Sequence, residues 1–327
     1  MSGAAALVLA YVLDRIIGDP RGVLHPVVVM GWCAAKLERL LREVARSPHS
    51  LKIAGVLLPV GLVGGSFFTA KLVLYAAGLL HPAAAFAANA WLISTTIATK
   101  GLADAGMQVC RLLRAGDVKK ARESLAMIVG RDTEHLDTPE ICRGAVETIA
   151  ENIVDAIVAP LVFAAIGGAP LALAYRAANT LDSMVGYKNA KYRHFGWASA
   201  RLDDIANFIP ARISALFVVA AAKLLKMRAR GAWRIIRRDA RKHPSPNSGF
   251  PEAGVAGALG VRLGGTNVYQ GVPSFRAYLG DCERELAPDD IARTVRLMKT
   301  VSVLFIAVCS GTVLLLESLR ACAKELF

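Results

Sequence analysis

The chain has 327 residues, 54% of them hydrophobic and 20% charged, with a mean hydropathy of +0.43. That balance excludes an ordinary soluble domain with a polar surface and makes a bilayer the natural solvent. The net charge of +13, from 39 Lys+Arg against 26 Asp+Glu, reports topology and an affinity for anionic lipid or substrate, with nucleic acid not expected as a partner.

In chain order, the N-terminal run MSGAAALVLAYVLDRIIGDP has no basic residue ahead of its apolar part and reaches Asp14 and Arg15 quickly, so it is not expected to be a cleaved signal peptide. It reads as a short helix that enters the membrane surface or packs on a bundle. Asp14, Arg15, Asp19, Pro20, His25 and Pro26 form a small polar group, with Asp14 and Arg15 as a local ion pair or interface anchors and His25 as a hydrogen-bonded loop histidine. Residues 53–99 read as a transmembrane hairpin turning at Lys71 or at His81–Pro82, since a span needs roughly 20 mostly apolar residues. Residues 100–152 read as cytoplasmic helices: Asp117 is a plausible N-cap, Gly130 ends that run, and Thr138 with Pro139 starts the next helix.

From Pro139 the apolar period runs into the membrane stretch until Gly167-Gly168-Ala169-Pro170 breaks it, and Pro210 with Arg212 interrupts the following stretch. Residues 153–222 are therefore expected as broken or re-entrant membrane helices around a polar loop, both stretches crossing or both turning back. Residues 223–299 hold fifteen basic side chains and should be cytoplasmic, and 300–317 reads as a transmembrane helix. The fold expected is all-α, a polytopic membrane helical bundle with cytoplasmic helical loops. The six cysteines are scattered, with no C-x-x-C pair, and predict neither a disulfide framework nor a zinc site.

Three clusters could carry chemistry. Arg143, Glu147, Glu151 and Asp155 recur every four residues, which puts one arginine and three carboxylates on one helical stripe, with Asn152 beside them. Asp155 leads directly into an apolar run, where an ionisable residue usually faces a cavity. The densest group is Arg176, Asn179, Asp182, Lys188, Asn189, Lys191, Arg193, Trp197, Arg201, Asp203, Asp204 and Asn207. Its cations suit phosphate or carboxylate oxygens, and Asp203-Asp204 could hold metal, although adjacent helical side chains point about 100° apart. The third is His243, Ser245 and Asn247, followed by Glu252, Arg262, Gly264 and Gly265, where a glycine-rich backbone could approach an anion. The small residues from Ala253 to Gly260 fit tight helix packing equally well.

LDRIIGDP (13–20) with HPVVVMG (25–31), AVETIAENIVDAIVAPL (145–161), AYRAANTLDSMVGYKNAKYRHFGWASARLDDIANFIPAR (174–212) and HPSPNSGFPEAGVAGALGVRLGG (243–265) together resemble the adenosylcobinamide-phosphate synthase family of cobalamin biosynthesis, over nearly the whole chain. The resemblance implies an integral enzyme of the cell membrane that joins adenosylcobyric acid to aminopropanol or its O-phosphate, with ATP and Mg²⁺. Membrane lipid is then a partner, and both a homo-oligomer and a complex with other late corrinoid-pathway enzymes stay open.

On that reading Glu147, Glu151, Asp155, Asp182 and Lys188 are the expected catalytic residues, with Glu147 deprotonating the ammonium. Glu151, Asp155, Asp182 and Asp203 are the expected metal ligands. Asn152, Asn179, Asn189, Arg193, Arg201, His243, Ser245, Asn247, Glu252, Arg262, Gly264 and Gly265 are the expected substrate and phosphate contacts, in an active site that faces the cytoplasm. The alternative is a membrane transporter or channel for a small anionic or corrinoid substrate, which predicts an inverted repeat that the sequence does not show. A phospholipid phosphotransferase would carry D-x-x-D-G-x-x-A-R, which this sequence lacks.

Overall fold

The structure, a computed structural model, describes residues 2–18, 25–187 and 189–325. Of the described residues 76% are helical. In order the elements are α1 (Gly3–Ile16), α2 (Pro26–Val44), α3 (Pro48–Leu80), α4 (Pro82–Ser94), α5 (Thr99–Arg114), α6 (Val118–Ala126), α7 (Thr138–Ile153), a π-helical turn (Val154–Val158), α8 (Ala159–Val185), α9 (Trp197–Ala206), α10 (Phe208–Leu224), α11 (Ala229–Asp239), a 3-10 turn (Ala240–Lys242), α12 (Gly249–Leu259), strands β1 (Leu263–Tyr269) and β2 (Val272–Leu279), and α13 (Pro288–Glu325). They form two compact units: Met1–Ala98 with Ala159–Asn207 and Ile306–Phe327, and Thr99–Val158 with Phe208–Phe305.

In the first unit, α3 and α8 pack around Leu58, Leu62, Leu173, Ala177, Leu181 and Phe195. Gly55 allows the close approach: a Cβ there would lie 2.1 Å from the Phe195 carbonyl oxygen. The N-terminal helix packs on this bundle through Ala6, Leu7, Ala10 and Asp14, and Arg15 donates to the Tyr11 hydroxyl at 3.1 Å. Asp19 and Pro20 lie outside the described residues. His25 caps α2, its Nδ1 accepting the Val27 N–H at 3.3 Å.

The chain turns at His81–Pro82, where His81 caps α4, while Lys71 lies inside α3. Helix α3 is long enough to cross a bilayer, but α4, with 13 residues, is not among the candidate spans, so the second arm of the expected transmembrane hairpin falls short. The expected break in α8 is present: Gly167 and Gly168 leave helical geometry, Gly168 at φ +64°, and the Asn89 side chain accepts the Ala169 N–H at 2.9 Å. The break thus finds its hydrogen bond inside the protein, as an interrupted helix in a membrane requires.

Among the described residues three helices are long and apolar enough to cross a bilayer: Pro48–Leu80, Thr138–Val185 and Pro288–Ala323. Taken together, α9 and α10 pass the same test of length and apolarity. Ala215 of α10, however, shares a core with Ile235, Ile236 and Ala240, so α11 folds back along it with Arg230, Arg234, Arg237 and Arg238 exposed. Hydrocarbon does not tolerate four such guanidiniums, an arrangement at odds with α10 as a fourth span.

In the second unit, Asp117 caps α6 as expected, and that helix ends at Ala126, before Gly130. Asp137 and Glu140 form a capping box at the start of α7. The small residues of α12 serve helix packing: a Cβ on Gly257 would lie 2.5 Å from the Gly231 carbonyl, and Gly260 ends the helix in the left-handed conformation. The hairpin β1–β2 is a departure from the expected helices and loops, closing through a two-residue turn at Gln270 and Gly271, both at positive φ.

Candidate active site

Four-residue steps along α7 bring Arg143, Glu147 and Glu151 onto the hairpin side of the second unit, and the first two prove to be fasteners. Arg143 donates to the Gly264 carbonyl at 2.7 Å and to the Thr266 carbonyl at 3.0 Å. Glu147, 3% exposed, accepts the Gly264 N–H at 2.8 Å with one oxygen and Arg131 with the other, and Arg131 also donates to Asn267 at 2.7 Å. Asp132 accepts the N–H groups of Gln270 and Gly271 at the hairpin turn. With both oxygens engaged by donors, Glu147 is poorly placed for the base role that its spacing suggested. The Gly264-Gly265 backbone is likewise spent on the hairpin, Gly264 at φ +83° with the Ala277 carbonyl 2.4 Å from where a Cβ would stand.

Glu151 differs. It is half-buried and accepts Ser248 Oγ at 2.9 Å, and Ser248 is itself 3.2 Å from Ser245 Oγ. The turn at 245–248 is built on the Ser245 hydroxyl, which accepts the N–H groups of Asn247 and Ser248. Asn247 accepts from Arg212, whose guanidinium stacks on Phe208 and Phe250. The Ser245 N–H donates to His243 Nδ1 at 3.0 Å, which leaves the proton of a neutral ring on Nε2. That Nε2 lies 3.5 Å from Glu252 Oε1.

His243 and Glu252 are both deeply buried, with side chains 5% and 2% exposed. Burial, then the neighbouring Glu147 and Glu151, push the Glu252 carboxyl well above the ordinary range. Burial, then Arg276, holds His243 below its usual value. Arg276 loses by burial, but Tyr269, whose hydroxyl it bonds at 3.0 Å, and the carboxylates of Glu252, Glu151 and Glu147 outweigh that and raise its pKa.

The remaining expected contacts of this unit are peripheral. Arg262 is exposed and lies over the Tyr278 ring, and the Asn152 amide donates to the Thr148 carbonyl of its own helix. Asp155 is half-buried on the π turn, where the regular step of α7 ends. Such turns recur at functional sites.

In the first unit a chain of amides holds one carboxylate. Asn179 and Asn207 donate to the two oxygens of Asp203 at 3.2 and 3.0 Å, Tyr175 donates to Asn207, and Arg176 donates to Asn179. Asp203 and Asp204 diverge as adjacent helical side chains should, Asp204 pairing with the exposed Arg201 at 3.4 Å. Asp182 is half-buried near the end of α8, Arg193 is exposed, and Asn189 accepts the Tyr192 N–H. Lys188 lies outside the described residues.

Among the described residues no group of three or more His, Cys, Asp or Glu side chains could hold a metal ion. Mg²⁺ typically needs only one or two carboxylates beside phosphate oxygens and water, and both oxygens of Asp203 already accept amides.

Sequence reasoning missed Arg131, Arg276 and Asn267, which no short motif marks. It also missed the hairpin, although Gln270-Gly271 between Val268-Tyr269 and Val272 is a turn signal.

These features define a polytopic helical membrane protein whose second unit encloses a charged cluster with a buried His–Glu pair. The family description "CobD/Cbib protein" matches residues 7–298, and the chain belongs to that family. It is 50% identical over 299 residues to the cobalamin biosynthesis protein CobD of Geobacter metallireducens, covering 91% of this chain and 93% of that one. It is 46% identical over 299 residues to the cobalamin biosynthesis protein CbiB of Salmonella typhimurium (91% and 94% covered), and 44% identical over 298 to the CobD protein of Clostridium perfringens (91% and 94%). No solved structure matches the chain. The family places the chain in cobalamin biosynthesis.

Proposed function

We propose that the chain is the amide-forming ligase of that pathway, joining the free carboxyl of adenosylcobyric acid to (R)-1-amino-2-propanol O-phosphate, or to aminopropanol, with ATP and Mg²⁺ to give adenosylcobinamide phosphate. The observation that carries the reading is family membership over residues 7–298, in relatives named for cobalamin biosynthesis, combined with the enclosed acid, base and guanidinium groups of the second unit.

Amide formation from a carboxylate requires activation, most simply by its attack on the γ-phosphorus of ATP with departure of ADP. The amine then attacks the acyl carbon and inorganic phosphate leaves. Arg131, Arg143 and Glu147 fix the hairpin that frames the cluster, and Arg276 is its most available cation for a phosphate. Glu151 and Ser248 orient a polar substrate group at the turn. Within the second unit Asp155 is the carboxylate for Mg²⁺, which when bound would neutralise charge on the transferring phosphoryl group. Lys188, Asn189, Arg193 and Arg201 are candidates for phosphate or for the amides around the corrin. The site faces the cytoplasm of a multi-pass cell-membrane protein, alone, as a homo-oligomer or beside other enzymes of the late pathway.

The test is reconstitution of the purified protein in detergent with adenosylcobyric acid, aminopropanol phosphate and Mg²⁺-ATP, with the amide followed by mass. ADP release that needs both corrinoid and amine supports the ligase. Uptake of corrinoid into sealed vesicles without any amide product would support a transporter instead.

A further inference from the structure

Glu252 stands on the first turn of α12 with its carboxyl almost wholly enclosed, and Oε1 has no hydrogen-bond partner within the described protein. Facing it at 3.5 Å is His243 Nε2, also buried and without a hydrogen-bond partner. Buried polar atoms left this way are rare in native proteins, and a catalytic task is one of the few explanations. The charged groups that act on the pair are Glu147 and Glu151 from α7, Arg131 from the loop before it, and Arg276, with Tyr269 beside it, from the hairpin. Most are already engaged: Glu147 with Arg131 and Gly264, Glu151 with Ser248, Arg276 with Tyr269.

We propose that Glu252 is the general base of the ligation, taking a proton from the substrate's ammonium, with His243, whose Nε2 faces Oε1 at 3.5 Å, as the positioning residue. This rests on the ligase reading and replaces Glu147 in the role that spacing alone suggested. The ammonium supplies the hydrogen bond that Oε1 lacks. One N–H bond breaks, its electron pair stays on nitrogen, and an O–H bond forms on Glu252. The lone pair then attacks the acyl phosphate carbon, a C–N bond forms, the C–O bond to phosphate breaks with the pair leaving on phosphate, and the second proton shed by the nitrogen goes to that departing phosphate. A carboxylate enclosed near two others has a higher proton affinity than an exposed one, which suits it to this transfer.

The test compares two nucleophiles in the full-length protein: aminopropanol phosphate, an ammonium near neutral pH, and hydroxylamine, which is largely neutral there and needs no base before attack. For Glu252→Gln, amide formation should fall by about 100-fold or more, the usual worth of a positioned base, while hydroxamate formation falls by only about 3-fold. The amide rate of the variant should climb with pH as free amine appears. Glu252→Asp should recover part of the amide rate, and His243→Gln should lower kcat for the amide without raising KM. Equal losses with both nucleophiles, no loss with either, or an unchanged pH profile in Glu252→Gln would overturn the assignment. Should the wild type form neither amide nor hydroxamate, the ligase reading falls first and this proposal with it. If Glu252→Gln does not fold, Glu252→Asp decides alone: a pH profile identical to wild type with wild-type rates overturns it.

Discussion

One oxygen of Glu147 accepts the backbone N–H of Gly264 at 2.8 Å across 117 residues of sequence, which ties a helix to the bulged start of a strand. The other takes the Arg131 guanidinium, so the carboxylate is buried but fully compensated. Removing one member of such a group leaves a charge without its partner.

Glu147→Ala should therefore cost about 3 kcal/mol or more of stability, since breaking a buried pair strands Arg131 as well as the Gly264 amide. The hairpin should loosen first. Hydrogen exchange followed by mass spectrometry should show faster exchange over residues 263–279 than in wild type; unchanged protection there would refute the fastening role.

The helix break at Gly167–Gly168 yields a second expectation. Asn89→Ala leaves the enclosed Ala169 N–H without its acceptor, a loss of about 1–3 kcal/mol. Gly168→Ala should cost a similar amount, because φ +64° with ψ −157° is a backbone region that only glycine enters freely. Thermal unfolding in one detergent reads both, and the double variant should cost less than the sum because the two share one contact.

Much of this framework was readable from the residues alone. Asp117 as a cap and the break after Ile166 follow from local rules, a side-chain acceptor at a helix start and a Gly-Gly-Ala-Pro breaker, while His81–Pro82 was one of two turns the residues offered and helix packing one of two readings of Ala253–Gly260. The role of Glu147 was not readable, because its i+4 spacing to Arg143 and Glu151 is the same whether the carboxylate faces a ligand or a strand 117 residues away. The buried His243–Glu252 pair was visible only as two polar residues nine apart, and burial is what gives it meaning. Arg276 gave no signal at all, since its surroundings are made by the hairpin register.

Asp155 stands on the π turn that follows α7, where the regular four-residue step ends. Asp155→Ala should abolish ligation while the protein still inserts and purifies as a single species. Turnover at the wild-type rate in that variant would remove Asp155 from the chemistry. Raising Mg²⁺ should partly restore activity in Asp155→Asn if the carboxylate holds the metal.

Asp239 gives a prediction with a definite sign in pH. It is 1% exposed; burial alone would raise its pKa, but Arg238 and Lys242, both at 2.7 Å, and the Gly280 N–H at 2.9 Å hold the carboxyl far below the ordinary range. A carboxyl whose folded pKa is depressed contributes stability that is fully present above its unfolded pKa of about 3.9 and is lost as pH falls through the folded value. Asp239→Asn should therefore destabilise the second unit by about 3 kcal/mol near neutral pH. The gap between wild type and variant should stay constant down to about pH 5 and narrow below about pH 4, as the wild type gives up its charged contact. Melting curves of both proteins in the same detergent across that range decide it. A gap that widens on acidification would mean that the folded carboxyl binds its proton more readily than the unfolded one, the opposite of what three donors around a single carboxylate can produce.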